Sequence, residues 1–391
     1  MSRPLDGILV VSLEQAIAAP YCSRQLAALG ARVIKVERPD GGDFARAYDK
    51  RARGLASHFV WTNRSKESLA LDLKQPAAID ALRRLIAKAD VFIQNLAPGA
   101  TSRLGIGSDS LRAEFPRLIT CDISGYGRGG EWEKRKAYDL LIQAEGGFLS
   151  VTGTPDQVVK AGISIADIAA GTQAFQAILA ALLHRERNGG EGCHIDVSML
   201  EAMAEWMGYP LLYTLDDAPP PPRAGAGHAT IFPYGPYDTA DGTVLFGLQN
   251  DREWVSFARV VLEREDFAED PRFRGNAGRT AHRGEIEAVI RAVFGSLTTE
   301  AAIARLEAAG IGTARVNDMA ALWAHPQLKA RERWTEVDTA AGAIPVLKPV
   351  HGDGWTPRID AVPQLGADTP RILEEIGLDA DQITALTEPS A

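Results

Sequence analysis

Residues 6–38, DGILVVSLEQAIAAPYCSRQLAALGARVIKVER, decide the fold. DGILVVSL (6–13) is a short apolar run with the length of a buried strand. AAPYCSRQLAALG (18–30) follows with helical spacing, carrying Leu26 and Leu29 and stopping at Gly30. ARVIKVER (31–38) is a second strand pattern. Strand, helix and strand at this spacing form a βαβ unit, which implies a parallel sheet with covered faces. The pattern then repeats. SLALDL (68–73), VFIQNL (91–96), RLITCDISGYG (117–127) and CHIDVSML (193–200) have strand character. PAAIDALRRLIAKAD (76–90) places Ile79, Leu82, Leu85 and Ile86 on one helical face and opens with a proline, as a first helical position allows. An Ala-rich helix spans 165–187 and ends in His184, Arg185 and Arg187 followed by glycine, as a helix C-terminus favours. The class is α/β.

The clearest break is DDAPPPPRAGAG (216–227), where four prolines exclude a helix or a central strand. The expected division is a large domain over 1–215, a smaller α+β domain over 216–330, and a C-terminal segment over 331–391. The smaller domain holds YDTADGTVLFGLQ (237–249), a hairpin pattern with Asp-Gly at its turn, and several helices.

Composition narrows the function. With 46% apolar and 24% charged residues, the 391-residue chain can bury a sizeable core. A net charge of −9 argues against a broad nucleic-acid or anionic-membrane surface, though not against a small local anion site. The three cysteines, Cys22, Cys121 and Cys193, are far apart, so a disulfide framework is not expected and the cytoplasm is the simplest compartment. The N-terminal apolar run is too short for a signal sequence, and no stretch is expected to reach the ~18 apolar residues of a membrane span. The first strand–helix turn, SLEQAIAAP, lacks GxGxxG, which disfavours a dinucleotide. GxxxxGK[ST], HExxH and GxSxG are also missing, so no nucleotide loop, metal or serine nucleophile is expected.

One carboxylate stands out. AGISIADIAAG (161–171) is small, apolar or hydroxylic except for Asp167. Aspartate suits a helix cap or first turn. In that position backbone N–H groups and the helix dipole would hold it ionised, and an ionised, positioned carboxylate can be a nucleophile. Its small neighbours Gly162, Ser164, Ala166, Ala169, Ala170 and Gly171 would let a bulky substrate approach. SGYGRGGE (124–131) is either a ligand loop at a strand end or an ordinary surface turn. Arg38, Lys74, Arg103 and Lys136 recur near predicted element ends. They could gather a polyanion, or each could be a solvated surface charge.

Taken in order, several segments resemble the class III coenzyme A transferases, the family of formyl-CoA transferase and carnitine CoA-transferase. They are PLDGILVVSLEQAIAAPYCSRQLAALGARVIKVERPDGGD, SLALDLKQP, ADVFIQNLAPGATSRLG, ISGYGRGG, KAYDLLIQAEGG, AGISIADIAAG and HIDVSMLEA. The resemblance implies a Rossmann-like large domain completed by the C-terminal segment, a smaller inserted domain, and an interlocked homodimer. It implies Asp167 as the catalytic residue, working through an aspartyl anhydride and an aspartyl-CoA thioester. It carries contacts to coenzyme A onto Ala18, Arg38, Leu71, Asp72, Leu73, Lys74, Asn95, Arg103, Lys136, Ala137 and Tyr138. No tightly bound cofactor is implied; coenzyme A and acyl-CoA are substrates, and the other partner is a small carboxylic acid. The related 2-methylacyl-CoA racemases use a histidine where this chain has Tyr138, and a phenol with a pKa near ~10 is a poor base at neutrality. RAGAGHATIFPYGPY (223–237) lacks the glycine run of the formyl-CoA:oxalate enzymes and looks more like the itaconate, citramalate and mesaconate transferases. On that basis Arg46, Arg223 and His228 are candidate partners of a distal substrate carboxylate. Ile17, Gly225 and Gly227 are further candidate substrate contacts. The alternatives are a racemase or epimerase, a formyl-CoA:oxalate-type transferase, and a CoA-binding regulatory protein without turnover.

Overall fold

The computed structural model describes residues 2–387. The chain divides into a larger unit, Met1–Gly147, Ala161–Gly208 and Leu328–Ala391, and a smaller one, Phe148–Lys160 and Tyr209–Gln327. The second stretch of the smaller unit starts and ends a few residues before the expected 216 and 330, and the unit also takes in Phe148–Lys160, ahead of the long helix, which was expected in the large domain. The reason is local. Gly153–Thr154 pairs with Gln157–Val158 in a short hairpin. Gly153 O accepts the N–H of Gly225 at 2.6 Å, and Thr154 O and Pro155 O accept from the Arg223 guanidinium at 2.8 and 2.7 Å. The chain just after the prolines is thereby tied to a segment some 70 residues earlier.

In the larger unit, β1 (Leu9–Leu13), α1 (Ala18–Ala28) and β2 (Arg32–Glu37) form the expected βαβ unit. The helix α2 (Ser57–Asn63), β3 (Lys66–Ala70), α3 (Pro76–Ile86), β4 (Val91–Gln94) and β5 (Ile119–Ser124) follow. Next come α4 (Asp139–Glu145), α5 (Ile165–Arg187) and β6 (His194–Ser198). The six strands lie in the order β3-β2-β1-β4-β5-β6, and every pairing is parallel. Strand order reverses beside β1, which is where ligands bind in such sheets, beyond the carboxyl ends of the strands. One face is packed by Val11, Ile34, Leu69, Leu82, Leu85 and Phe92. Ile372 and Leu373 of α6 (Thr369–Glu375) join this core. Asp368 and Thr369 also accept the N–H groups of Ser68 and Ala70, so the C-terminal segment caps the β3 edge that would otherwise be open.

The helix α5 is, by length and a mean hydropathy of 1.4, apolar enough to cross a membrane, contrary to the expectation that no stretch comes near. Its apolarity has a local account. Ala166, Ala169, Ala170, Ala174 and Ile178 are buried, and the helix lies along α1. A Cβ at Gly171 would stand 2.5 Å from Ala18 O. Gly171 thereby serves the close approach of α1 and α5, and within AGISIADIAAG Gly162 and Ile163 are exposed.

The smaller unit carries an antiparallel sheet of β7 (Tyr234–Asp238), β8 (Thr243–Gly247) and β9 (Thr313–Arg315). Asp241 and Gly242 sit in the β7–β8 turn, as the sequence predicts. Its core is aromatic, with Phe246 5.0 Å from Tyr237 and 5.3 Å from Phe294 between ring centres.

Alanine is the better helix former by roughly 1 kcal/mol, so propensity alone would make Gly171→Ala stabilising. The approach to Ala18 reverses the sign. We expect a net loss of about 1–3 kcal/mol, as for other overpacked contacts. Urea unfolding checks this, and a raised midpoint would show that the α1–α5 contact is looser than described.

Candidate active site

Asp167 is the third residue of α5 and is half-buried. It does not cap its own helix, and neither does Ser164. The cap comes from α4: Asp139 Oδ1 accepts from Ala166 N at 2.8 Å and, more weakly, from Asp167 N at 3.4 Å. Asp139 Oδ2 accepts from Gln143 Nε2 at 2.6 Å, and Gln143 Oε1 accepts from Ala161 N at 2.9 Å. The segment carrying Asp167 thus hangs from one turn of α4. The expectation that Asp167 is simply held ionised needs correction. Burial first, and the Asp139 charge second, push its carboxyl up to about 7, with the backbone N–H of Ala18 offsetting part of the rise. The dipole argument fails because another carboxylate already occupies the helix end.

Ala18 begins α1, which has no side-chain cap. The turn before it is held by side chains from three other strands and loops. Lys35 Nζ donates to Glu14 O at 3.2 Å. Asn95 accepts from Gln15 N at 2.8 Å and donates to Gln15 O at 2.9 Å. Asp43 Oδ1 accepts from Ala16 N at 3.0 Å, while Ala16 sits in the left-handed region at φ 62°. That conformation is uncommon for alanine and persists where the surroundings determine it. Beneath the turn lies a buried charge network. Asp43 Oδ2 meets Lys35 Nζ at 2.8 Å, and Glu14 Oε1 meets Lys66 Nζ at 2.6 Å, all four side chains fully enclosed. Burial would raise the Glu14 carboxyl, but Lys66 and Lys35 outweigh it and bring it to about 2.

The predicted site residues fall into three groups. Arg38, Leu71, Asp72, Leu73 and Lys74 line one cleft of ≈ 270 Å³, together with Gln15, Asp43 and Leu104, the neighbour of the exposed Arg103. Asn95 serves the turn at Gln15 instead. Around Asp167, Tyr138 is exposed and directly precedes Asp139, and Lys136 is exposed as well. Ala137 packs so tightly on Gly125 that a Cβ there would lie 2.1 Å away. The Tyr48 hydroxyl is pushed up to about 12 by burial first and then by Asp43, Asp167 and Tyr138, within whose electrostatic reach it lies.

The third group has other employment. Ile17 is 3% exposed and packs in the core. Arg46 is bound bidentately by Glu37 at 2.8 and 2.7 Å, reaches Pro363 O and stacks on Phe59. In the smaller unit Arg223 is spent on the hairpin carbonyls, and Gly225 has φ 61° where the chain joins that hairpin. Gly227 turns next to it, donating its N–H to Ala224 O. His228 Nδ1 accepts from Thr230 N and Ile231 N while its ring stacks on Tyr234. All three candidate partners of a distal carboxylate are thus engaged by groups of the chain itself. In the glycine loop, the N–H groups of Gly127, Arg128 and Gly129 are taken by Ser124 Oγ, Asp196 and Glu133.

Sequence reasoning missed Asp139, Asp43, Glu14, Lys35, Lys66 and Tyr48. The available signal was a lysine in the middle of an apolar strand, ARVIKVER, since a buried ionisable group must be paired.

A family model described as CoA-transferase family III matches residues 5–369. A succinate–glutarate CoA-transferase of Agrobacterium fabrum is 34% identical over 87% of this chain and 87% of its own. A succinyl-CoA:mesaconate CoA-transferase of Haloarcula hispanica is 34% identical over 85% of each. The crystal structure of a CAIB/BAIF family protein from Brucella suis superposes with a TM-score of 0.85 at 32% identity, covering 96% of this chain and 100% of that one.

A carboxyl raised in the folded protein contributes stability that is complete below its unfolded value, near ~4, and is lost as pH rises through its folded value. For Asp167 that window closes near pH 7. Asp167→Asn is expected to match the wild type in thermal midpoint at pH 4 and to exceed it at pH 8. Equal midpoints at both pH values would show that the site does not strain the ionised carboxylate.

Proposed function

The chain belongs to CoA-transferase family III, and from that premise we propose that it moves CoA between a dicarboxylyl-CoA, succinyl-CoA being the first candidate, and a small carboxylic acid, with Asp167 as the nucleophile. The observation that carries this is the half-buried Asp167 facing the uncapped start of α1. An Asp167 oxygen attacks the thioester carbonyl, the carbon–sulfur bond breaks, and a mixed anhydride and CoA thiolate form. The thiolate attacks the Asp167 carbonyl carbon and the donor carboxylate leaves, giving an aspartyl-CoA thioester. The acceptor carboxylate attacks that thioester and releases the thiolate again. Thiolate attack on the acceptor's carbonyl then yields acceptor-CoA and restores Asp167. Each tetrahedral intermediate carries an oxyanion, and N–H donors at a helix start stabilise one. Ala18 N–H is the donor that already faces Asp167. The cleft of Arg38 and Leu71–Lys74 suits the nucleotide and pantetheine of CoA, which we treat as substrate and not as a resident cofactor.

The names of the relatives support a dicarboxylate at this site. A homodimer fits the run of exposed apolar side chains at Trp206, Tyr209, Leu211, Leu212, Tyr213 and Leu215. A second reading, proton abstraction from an acyl-CoA α-carbon, draws on the value near 7 at Asp167, which suits a general base. Deuterium uptake at the α-carbon from heavy water would favour it over transfer.

Incubation with succinyl-CoA followed by hydroxylamine is expected to leave a hydroxamate at Asp167, read by mass spectrometry, and Asp167→Ala should lose transfer to every acceptor. Turnover retained by that variant would rule the mechanism out. Since only the ionised carboxylate attacks, kcat/KM should fall as pH drops below about 7. Asp139→Asn keeps an acceptor oxygen for Ala166 N but removes the repelling charge, so its acid limb should move to lower pH. An unmoved limb would mean that Asp167 does not set it.

A further inference from the structure

The helix α1 carries a second feature, on the face toward α2. Arg64, the residue closing α2, is 3% exposed, and among the described residues its side chain makes one hydrogen bond, from Nη2 to Leu347 O, a long 3.5 Å. Arg24 of α1 lies within its electrostatic reach, and Tyr21 and Trp61 bridge the two helices with ring centres 5.4 Å apart. The Nε atoms of both arginines and the Nε2 of Gln25 are buried and make no hydrogen bond. Among the described residues neither guanidinium has a carboxylate partner. The acids closest to them in sequence are engaged elsewhere: Glu14 with Lys66 and Lys35, and Glu67 with Arg32 and Arg371. Arg24 has instead Tyr21, whose ring lies 4.9 Å from its guanidinium carbon and whose side chain shares a hydrogen bond with it, while its Nε stays unmet. Burial lowers both guanidinium pKa values, and for Arg64 the Arg24 charge lowers it further.

A buried Arg64 beside a half-buried Arg24, two like charges with unmade bonds, is costly unless something negative joins them. The guanidinium offers planar paired donors, which fit the oxygens of a carboxylate or phosphate. We propose that Arg24 and Arg64, with Gln25 beside them, form a binding site for an oxyanion between α1 and α2. The site is separate from the cleft of Arg38 and Lys74 and from Asp167. Its occupant has carboxylate or phosphate chemistry, supplied either by a free anion or by an acidic side chain of a second copy of this chain.

The test uses the full chain and Arg24→Met, in which a buried charge gives way to an apolar side chain of similar reach. Arg24→Lys, which keeps a charge, is the conservative control. Inorganic phosphate and succinate are titrated against chloride at equal ionic strength, with binding read by calorimetry and oligomeric state by sedimentation over a range of protein concentration. If the occupant is a free anion, the wild type binds phosphate or succinate and Arg24→Met weakens the apparent Kd by about tenfold or more, the loss of one charge-assisted contact. The KM for acyl-CoA should stay unchanged. If the occupant belongs to a second copy, anion binding is absent, and Arg24→Met raises the dimer dissociation constant by a similar factor, with Arg24→Lys between. Identical anion binding and identical dimer dissociation in wild type and Arg24→Met would overturn the proposal. So would a phosphate effect equal in both proteins, since that phosphate would be bound elsewhere.

Discussion

The approach of α1 to α5, with Ala18 O against Gly171, is the constraint on which the site depends. One turn separates Gly171 from Asp167, so both lie on the same face of α5. Where the helices can touch at Gly171, the start of α1 must stand over Asp167. Any side chain at 171 would part the helices and move the N–H of Ala18 away from the carboxylate it faces. The remaining features of the larger unit keep that alignment. Asn95, Asp43 and Lys35 fix the backbone of residues 14–16, and the Glu14–Lys66 and Asp43–Lys35 pairs fix the side chains that do the fixing.

The buried pairs suit positioning better than stability. A fully enclosed ion pair gains little over a well-packed apolar pair, because desolvation offsets the attraction. What it adds is direction. Asp43 reaches Ala16 N, Ala45 N and Lys35 Nζ at once, a geometry that apolar side chains could not impose. The left-handed conformation of Ala16 shows that the turn is held against its own preference.

Much of the larger unit was legible in the sequence because periodicity reports burial, and burial dictates a parallel sheet. DGILVVSL, ARVIKVER and VFIQNL each gave a strand, and PAAIDALRRLI a helix with its proline start. Asp167 was legible as the lone charge in a stretch of small residues. Its partners were not, since Asp139 lies 28 residues away and its role as a cap exists only once α4 and α5 are packed. The same limit explains Arg46, Arg223 and His228. Their charge can be read from sequence, but whether that charge is already spent on Glu37, a hairpin carbonyl or a neighbouring N–H depends on tertiary contacts. Phe148–Lys160 was assigned to the large domain for a related reason, because the bonds that tie it to residues 223–225 exist only once the chain has folded.

Asp139 has two effects on the site that act in opposite directions. It satisfies the start of α5, which gives Asp167 a fixed position, and its charge raises the Asp167 carboxyl. A carboxylate with an ordinary pKa would be ionised throughout the neutral range, but it would also be a weaker nucleophile and a better leaving group. In the proposed transfer the Asp167 carboxylate must attack one thioester and later depart from the acceptor anhydride, so an intermediate basicity serves both steps. Burial alone could raise the carboxyl, but it would leave the start of α5 without acceptors. Capping by a neutral side chain could satisfy the helix but would not add to the rise. A second carboxylate does both, and the stability lost when Asp167 ionises is the consequence.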